Sequence, residues 1–292
     1  MNKFEQLFAA YPFTMSDEQV AAETAQLLKD HQDTNNHRPI WVQCLHQIDL
    51  TTLSVDDTTE KVRTMAERVN AFEQQFPGLQ NVAAICVYPA LVETVRQNLT
   101  APIGIAAVAG GFPASQTFLE VKIAEAAMAV KAGATEIDIV LPVGKFLEGD
   151  YEAVADEISE IKAAIGQAHL KVILETGAMP SAQHIYRAAI LAMASGADFV
   201  KTSTGKISVN ATPEASLVMC RAIRDWFERT GDIIGFKPAG GVSTTAEAVA
   251  HYTIVEQVLG KEWLRNDRFR FGASRLANNL LTSIQGEAVK YF

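Results

Sequence analysis

Ser195-Gly196-Ala197-Asp198-Phe199-Val200-Lys201 decides the fold, because the same order of residue types stands earlier as Ala132-Gly133-Ala134-Thr135-Glu136-Ile137-Asp138. In both stretches a glycine ends a helical segment, a short strand-like run follows, and a charged residue lies five positions beyond the glycine. Working outward, short Val- and Ile-rich runs alternate with longer amphipathic segments from residue 40 onward, the pattern of βα units on a parallel sheet. Candidate strands begin near Trp41, Val82, Ile103, Glu136, Lys171, Asp198, Ile233 and Arg268. Eight such units predict a closed (β/α)8 barrel, the TIM barrel. An open doubly wound sheet is the alternative, but it commonly carries a Gly-rich dinucleotide turn after its first strand, and Asp49-Leu50-Thr51-Thr52-Leu53 has no glycine. Ahead of the barrel, Ser16-Asp17-Glu18-Gln19 reads as a capping box, and Val20, Thr24, Leu27 and Leu28 keep helical spacing up to the polar stretch 31–39. The expected organisation is therefore an N-terminal helix and linker over 1–40 and a catalytic barrel over 41–292.

The 292 residues, 48% hydrophobic and 20% charged, suffice for a large core and exclude a disordered chain. Lys and Arg number 25 against 34 Asp and Glu, a net charge of −9 that opposes nucleic acid and anionic membranes and points to a small-molecule partner. No apolar run approaches the roughly 18 residues of a membrane span, and the opening Met1–Phe13 is neither basic nor apolar enough for a secretory leader. A cytoplasmic location is expected. Cys44, Cys86 and Cys220 are too scattered for a disulfide framework or a zinc site and read as reduced thiols.

Lys201 and Lys237 each interrupt an otherwise apolar strand, and lysine is rarely buried without a partner. On adjacent strands about 4.8 Å apart, two inward amines repel as cations, and desolvation adds to the pressure to lose a proton. A neutral amine is a nucleophile, and Asp138 on strand four is placed to keep the other one charged. Either lysine alone reads equally well as a strand-end residue reaching solvent and pairing with Asp138 or Glu175, and Asp138 alone as a polar plug. The three together favour chemistry, while the residues alone leave open which amine attacks. Gly-rich turns follow the last three strands: Thr204-Gly205-Lys206, Ala239-Gly240-Gly241-Val242 and Gly272-Ala273-Ser274. They read either as tight βα turns or as a phosphate nest, with a helix starting near Ser243 or Thr244 supplying its positive end.

Metal chemistry is disfavoured: the six histidines form no HxH or HExxH, and His46, near a strand end, reads as a hydrogen-bonded histidine. No GxSxG elbow or GxxxxGK[ST] loop is present.

Asp49–Leu53, Glu136–Asp138, Phe199–Lys206, Gly235–Val242 and Phe271–Ser274 together resemble the deoxyribose-phosphate aldolases, with the motifs in the same order across about residues 41–280. The resemblance implies a class I aldolase that reversibly cleaves 2-deoxy-D-ribose 5-phosphate into acetaldehyde and D-glyceraldehyde 3-phosphate, without metal or organic cofactor. It assigns the Schiff base to Lys201, makes Lys237 the cation that keeps Lys201 deprotonated, and makes Asp138, together with Lys237 and a water, the proton shuttle. It also puts Asp49, Thr51, Cys86, Phe112 and Thr204 around the aldehyde, and Gly205, Lys206, Gly240, Gly241, Gly272 and Ser274 around the phosphate. A homodimer is expected by the same analogy. Two departures are visible: Ser243 stands where the family often has arginine, and Arg275 where it often has a second serine. Arg275 is expected to replace the lost charge. The tail Val289–Phe292 either frays or folds over the barrel mouth to offer Tyr291 as a proton carrier. Two competing functions share the same parts. A pyridoxal-phosphate enzyme also needs a Schiff-base lysine and a phosphate nest, and a non-catalytic sugar-phosphate binding module needs only the loops.

Overall fold

The structure, a computed structural model, describes residues 2–292. Three helices precede the first strand: α1 (Lys3–Ala10), α2 (Asp17–Asn35) and α3 (Arg38–His46). The Ser16 hydroxyl and the Gln19 side chain close the expected capping box on α2. Two expectations fail here. Residues 31–35 continue α2 rather than forming a linker, and Trp41 lies within α3, so the first strand starts only at Ile48. Pro39 in the first turn of α3 presets a helical φ and lacks the amide that would go unpaired there, which outweighs the strand-like look of Ile40-Trp41-Val42.

From there strands and helices alternate: β1 (Ile48–Thr51), α4 (Thr59–Gln75), β2 (Ala84–Val87), α5 (Val92–Asn98), β3 (Gly104–Ala109), α6 (Leu119–Ala132), β4 (Glu136–Val140), α7 (Val143–Glu148), α8 (Tyr151–Ile165), β5 (His169–Ile173), α9 (Ala182–Ala194), β6 (Phe199–Lys201), α10 (Pro213–Thr230), β7 (Gly235–Lys237), α11 (Thr245–Leu259), β8 (Phe271–Ala273) and α12 (Arg275–Gln285). All strand pairs are parallel, in the order β7-β6-β5-β4-β3-β2-β1-β8. The seam between β7 and β8 is closed by the bridges Phe236↔Phe269 and Ala239↔Gly272. The apolar faces of β1–β8 and of the surrounding helices share one continuous core, which the βα alternation requires because a parallel sheet must be covered.

The N-terminal helices pack on the outside of this barrel. Tyr11 stacks on Trp226 of α10 with ring centroids 5.5 Å apart, and Phe13 on Tyr186 of α9 at 4.8 Å. The Asp17 carboxylate accepts the Ala182 amide at 2.8 Å, so a residue of α2 caps α9. Asn35 donates to Glu256 of α11 at 2.7 Å.

Candidate active site

Lys201 ends β6 and Lys237 ends β7, and the two are directly paired in register, so their side chains leave the same face of the sheet. Both donate to one oxygen, Oδ2 of Asp138 on β4, at 2.8 Å each. Lys237 also donates to Asp49 of β1, and among the described residues Lys201 makes no second ion pair. A lower layer supports these groups. Lys171 of β5 is the register partner of Asp138 and donates to its Oδ1 at 3.0 Å and to Glu136. Arg270, one residue before β8, donates to Asp49 at 2.5 Å and to Glu136 at 3.0 Å. The whole cluster is buried in the barrel, with Lys201 3% exposed and Lys237 0%.

Desolvation works to lower the Lys201 amine, and the positive charge of Lys237 adds to it, so Lys201 falls below the ordinary lysine range despite the pull of Asp138. Lys237 meets the same desolvation, but two carboxylates, Asp138 and Asp49, outweigh it and hold this amine above its ordinary value. Burial would raise Asp138; instead Lys171, Lys201 and Lys237 hold it well below the ordinary carboxylate range. The arrangement thus drives two adjacent lysines in opposite directions, Lys201 down and Lys237 up, beside an ionised carboxylate.

Lys201 opens on a cavity of about 800 Å³ at the carboxyl ends of the strands. Its walls include Thr51, Thr204, Gly205, Lys206, Gly240, Gly241, Gly272 and Ser274, so the structure brings together every residue expected around the phosphate and two of those expected around the aldehyde. The other three lie outside that lining. Asp49 lies under Lys237, while Cys86 packs with Ala106 and Val108, with Phe112 against that group. Burial pushes the Cys86 thiol up, leaving it protonated and without nucleophilic character. Thr204 is fixed by Glu175, which accepts its hydroxyl at 2.6 Å and its amide at 3.2 Å. Two glycines are required sterically: a Cβ on Gly272 would lie 2.6 Å from the Ala239 Cβ and 3.1 Å from the Lys237 Cε, and one on Gly240, at φ +79°, would lie 2.8 Å from the Asn210 side chain.

The anion-binding end differs from expectation in one respect. The start of α11 is already capped: the amides of Ser243 and Thr244, just ahead of it, both donate to the Glu247 carboxylate at 2.8 Å, and the Glu247 amide donates to the Thr244 hydroxyl. The first turn of α12 has no side-chain cap, and Ser274 and Arg275 face the cavity there. Among the described residues Arg275 has no carboxylate partner, and Lys206 donates to the Leu53 carbonyl at 2.5 Å across the mouth.

The tail neither frays nor offers Tyr291 to the lysines. Asn278 accepts the amides of Tyr291 and Phe292 at 2.7 and 3.0 Å, the Tyr291 hydroxyl donates to the Arg68 carbonyl, and it is Phe292 that reaches the cavity wall. His46 is the expected hydrogen-bonded histidine: Nδ1–H donates to the Asn81 carbonyl at 2.6 Å and Nε2 accepts the Asn266 amide at 3.0 Å. Among the described residues no three His, Cys, Asp or Glu side chains converge as metal ligands, and no helix is long and apolar enough to cross a membrane. The sequence reading passed over Lys171, Glu136 and Arg270. Lys171 carried the same signal as Lys201, one lysine inside the apolar strand His169-Leu170-Lys171-Val172-Ile173.

A (β/α)8 barrel whose carboxyl-end cavity is reached by a buried lysine, with a second lysine and a carboxylate beside it, fits the aldolase class of lyases. The comparisons with known proteins agree. The family profile described as DeoC/LacD family aldolase matches residues 44–272. The mouse protein named deoxyribose-phosphate aldolase is 46% identical over 245 residues, covering 80% of this chain and 77% of its own length, and the human protein of that name is 44% identical over the same shares. A crystal structure from Toxoplasma gondii shares the fold with a TM-score of 0.75 at 24% identity, covering 89% of this chain and 97% of that one. A tetrameric deoxyribose phosphate aldolase from Aeropyrum pernix aligns with a TM-score of 0.66 at 25% identity, covering 87% and 97%. The chain belongs to the DeoC/LacD aldolase family.

Proposed function

We propose that this chain is a class I aldolase, a lyase that reversibly cleaves 2-deoxy-D-ribose 5-phosphate into acetaldehyde and D-glyceraldehyde 3-phosphate in deoxyribose phosphate catabolism. The observation that carries the reading is the single Asp138 oxygen shared by Lys201 and Lys237 at 2.8 Å each, with only Lys237 held by a second carboxylate. The neutral Lys201 nitrogen attacks C1 of the open-chain sugar, and the carbinolamine loses water to give an iminium. The C3 hydroxyl then gives up its proton toward Asp138, the C2–C3 bond breaks, and its electron pair moves into the enamine as D-glyceraldehyde 3-phosphate departs. Protonation at C2 and hydrolysis return acetaldehyde and the free amine. Lys237 stays cationic throughout and stabilises the ionised carboxylate.

Thr51 and Thr204 bound the aldehyde end, with Asp49, Cys86 and Phe112 packed behind it. The phosphate rests on Gly205, Lys206, Gly240, Gly241, Gly272 and Ser274, at the uncapped start of α12, with Arg275 as its added cation. Reduction with borohydride in the presence of substrate, followed by mass spectrometry, tests the reading: one adduct on Lys201 is expected, and Lys201→Ala loses both adduct and turnover. An adduct on Lys237 instead, or turnover retained in Lys201→Ala, sinks it.

The proposal places the catalytic barrel at 41–292 with the 1–40 segment as its outer cover, in a cytoplasmic homodimer. Three buried, unpaired thiols, Cys44, Cys86 and Cys220, fit a reducing compartment. Light scattering of the purified chain decides the stoichiometry; a mass of one or four chains removes the dimer.

A further inference from the structure

The inference concerns the layer beneath the lysines and rests on the Schiff-base reading of Lys201. Lys201 faces Asp138 of β4, Lys237 of β7 and Cys86 of β2, and through Asp138 it joins a buried cluster that adds Asp49 of β1, Glu136 of β4, Lys171 of β5 and Arg270 beside β8. Cys86 is a neutral thiol, so the charged members are three carboxylates against four bases. A cluster this deeply buried pays heavily for net charge, and the neutral arrangement leaves one base without its proton.

The contacts say which base that is. Lys171 is bound by Glu136 and Asp138, with Asp49 at 3.4 Å; Lys237 is bound by Asp49 and Asp138; and Arg270 is bound by Asp49 and Glu136. Lys201 has Asp138 alone, and shares it with two other cations. Arginine does not surrender its proton in proteins, so Arg270 is a permanent positive charge in the count. Its guanidinium is also anchored by the Asn266 carbonyl. Glu136 has its place reserved at the base of the barrel, because a Cβ on Gly104 would come within 2.7 Å of its Oε1.

We propose that Arg270 and Glu136, which line no part of the cavity, are positioning residues that set the protonation of Lys201 by fixing the charge count of the buried cluster. Removing the permanent cation leaves three carboxylates for three lysines, and Lys201 keeps its proton. Removing the carboxylate does the reverse and discharges the amine more completely. A merely structural role predicts that both substitutions harm the site in the same direction.

The test uses the full chain with acetaldehyde as the probe and cyanoborohydride as the trap, following the initial rate of the Lys201 adduct against pH. Arg270→Met is expected to move the midpoint of trapping up by about one pH unit, and Glu136→Gln to move it down by about the same amount. The double variant, again balanced, returns to the wild-type midpoint, and Arg270→Lys, which keeps the charge, does not move it. Shifts of the same sign, or a double variant no closer to wild type than the singles, overturn the proposal. Glu136→Gln is nearly isosteric, so its downward shift decides the matter even where Arg270→Met fails to fold. If wild type forms no adduct on Lys201, the Schiff-base reading itself has failed, an outcome distinct from an adduct whose pH midpoint ignores the charge count.

Discussion

Lys201 and Lys237 are chemically the same side chain at the same height on neighbouring strands, and their difference lies in a single carboxylate. Asp49 pairs with Lys237 and not with Lys201, which breaks the symmetry of the pair and supports the proposal that Lys201 is the nucleophile. At the other end of the cavity, Arg275 is a cation without a carboxylate, beside an uncapped helix start, while Ser243 is tied to Glu247. Arg275→Ala is therefore expected to raise KM for the phosphorylated sugar by about tenfold, as loss of one charge-assisted hydrogen bond would, with kcat nearly unchanged. An unaltered KM in steady-state assays removes Arg275 from the phosphate grip. Asp138 and both lysines were legible from sequence because a charge inside an apolar run is conspicuous. Lys171 was equally conspicuous and was passed over because no second feature marked its strand. Arg270 alternates with Phe269 and Phe271, a pattern any half-exposed strand shows, so nothing local announces that its guanidinium turns inward.

At the scale of elements, the strands were readable within a few residues except the first. Ile40-Trp41-Val42 has the composition of a strand, and Pro39 at a helix start overrules it. The polar run after residue 30 reads as a linker, yet it remains helical because Asn35 and Gln32 find partners on α11. Such long-range partners are invisible to local patterning. The same holds for α2 and α9: Asp17 serves α9 as the N-terminal acceptor that its own Ser181 does not provide. Asp17→Ala is expected to destabilise the chain by about 1 kcal/mol, the usual cost of a lost helix cap, read as a lower urea midpoint with the slope unchanged. A midpoint equal to wild type means the cap contributes nothing.

For the molecule as a whole, the buried ion cluster ties stability to pH. Asp49, Glu136 and Asp138 meet desolvation that would raise them, but the surrounding lysines and Arg270 hold all three below their ordinary values. Their folded pKa values lie under the unfolded ones, so their contribution is fully present above the unfolded carboxylate range of about 4 and is lost as pH falls through the folded values. Thermal unfolding between pH 7 and pH 3 is expected to show a gradual decline from about pH 6.5, set by buried His251, and a steeper fall below about pH 4 as the carboxylates are protonated. A melting temperature that stays flat to pH 3 contradicts a cluster that depends on ionised carboxylates. His251 adds to the fall: burial lowers it to about 4, so as pH drops below the unfolded histidine value of about 6.5 the unfolded state gains a proton that the folded state does not, and stability declines.

The sequence by itself determined the barrel, through eight βα repeats, and the identities of the two lysines and the aspartate, because both signals are written in residues close together along the chain. Only the tertiary structure decided which groups share the buried cluster with Lys201, since Asp49, Glu136, Lys171 and Arg270 lie up to 221 positions apart and meet only when the sheet closes. It also decided that Tyr291 turns away while Phe292 reaches the cavity, because that outcome depends on the Asn278 side chain and the aromatic surface of α4, which no pattern in the tail itself encodes. Local periodicity fixes which way a residue points within its own element; protonation and pairing depend on what the other elements bring to the same point in space.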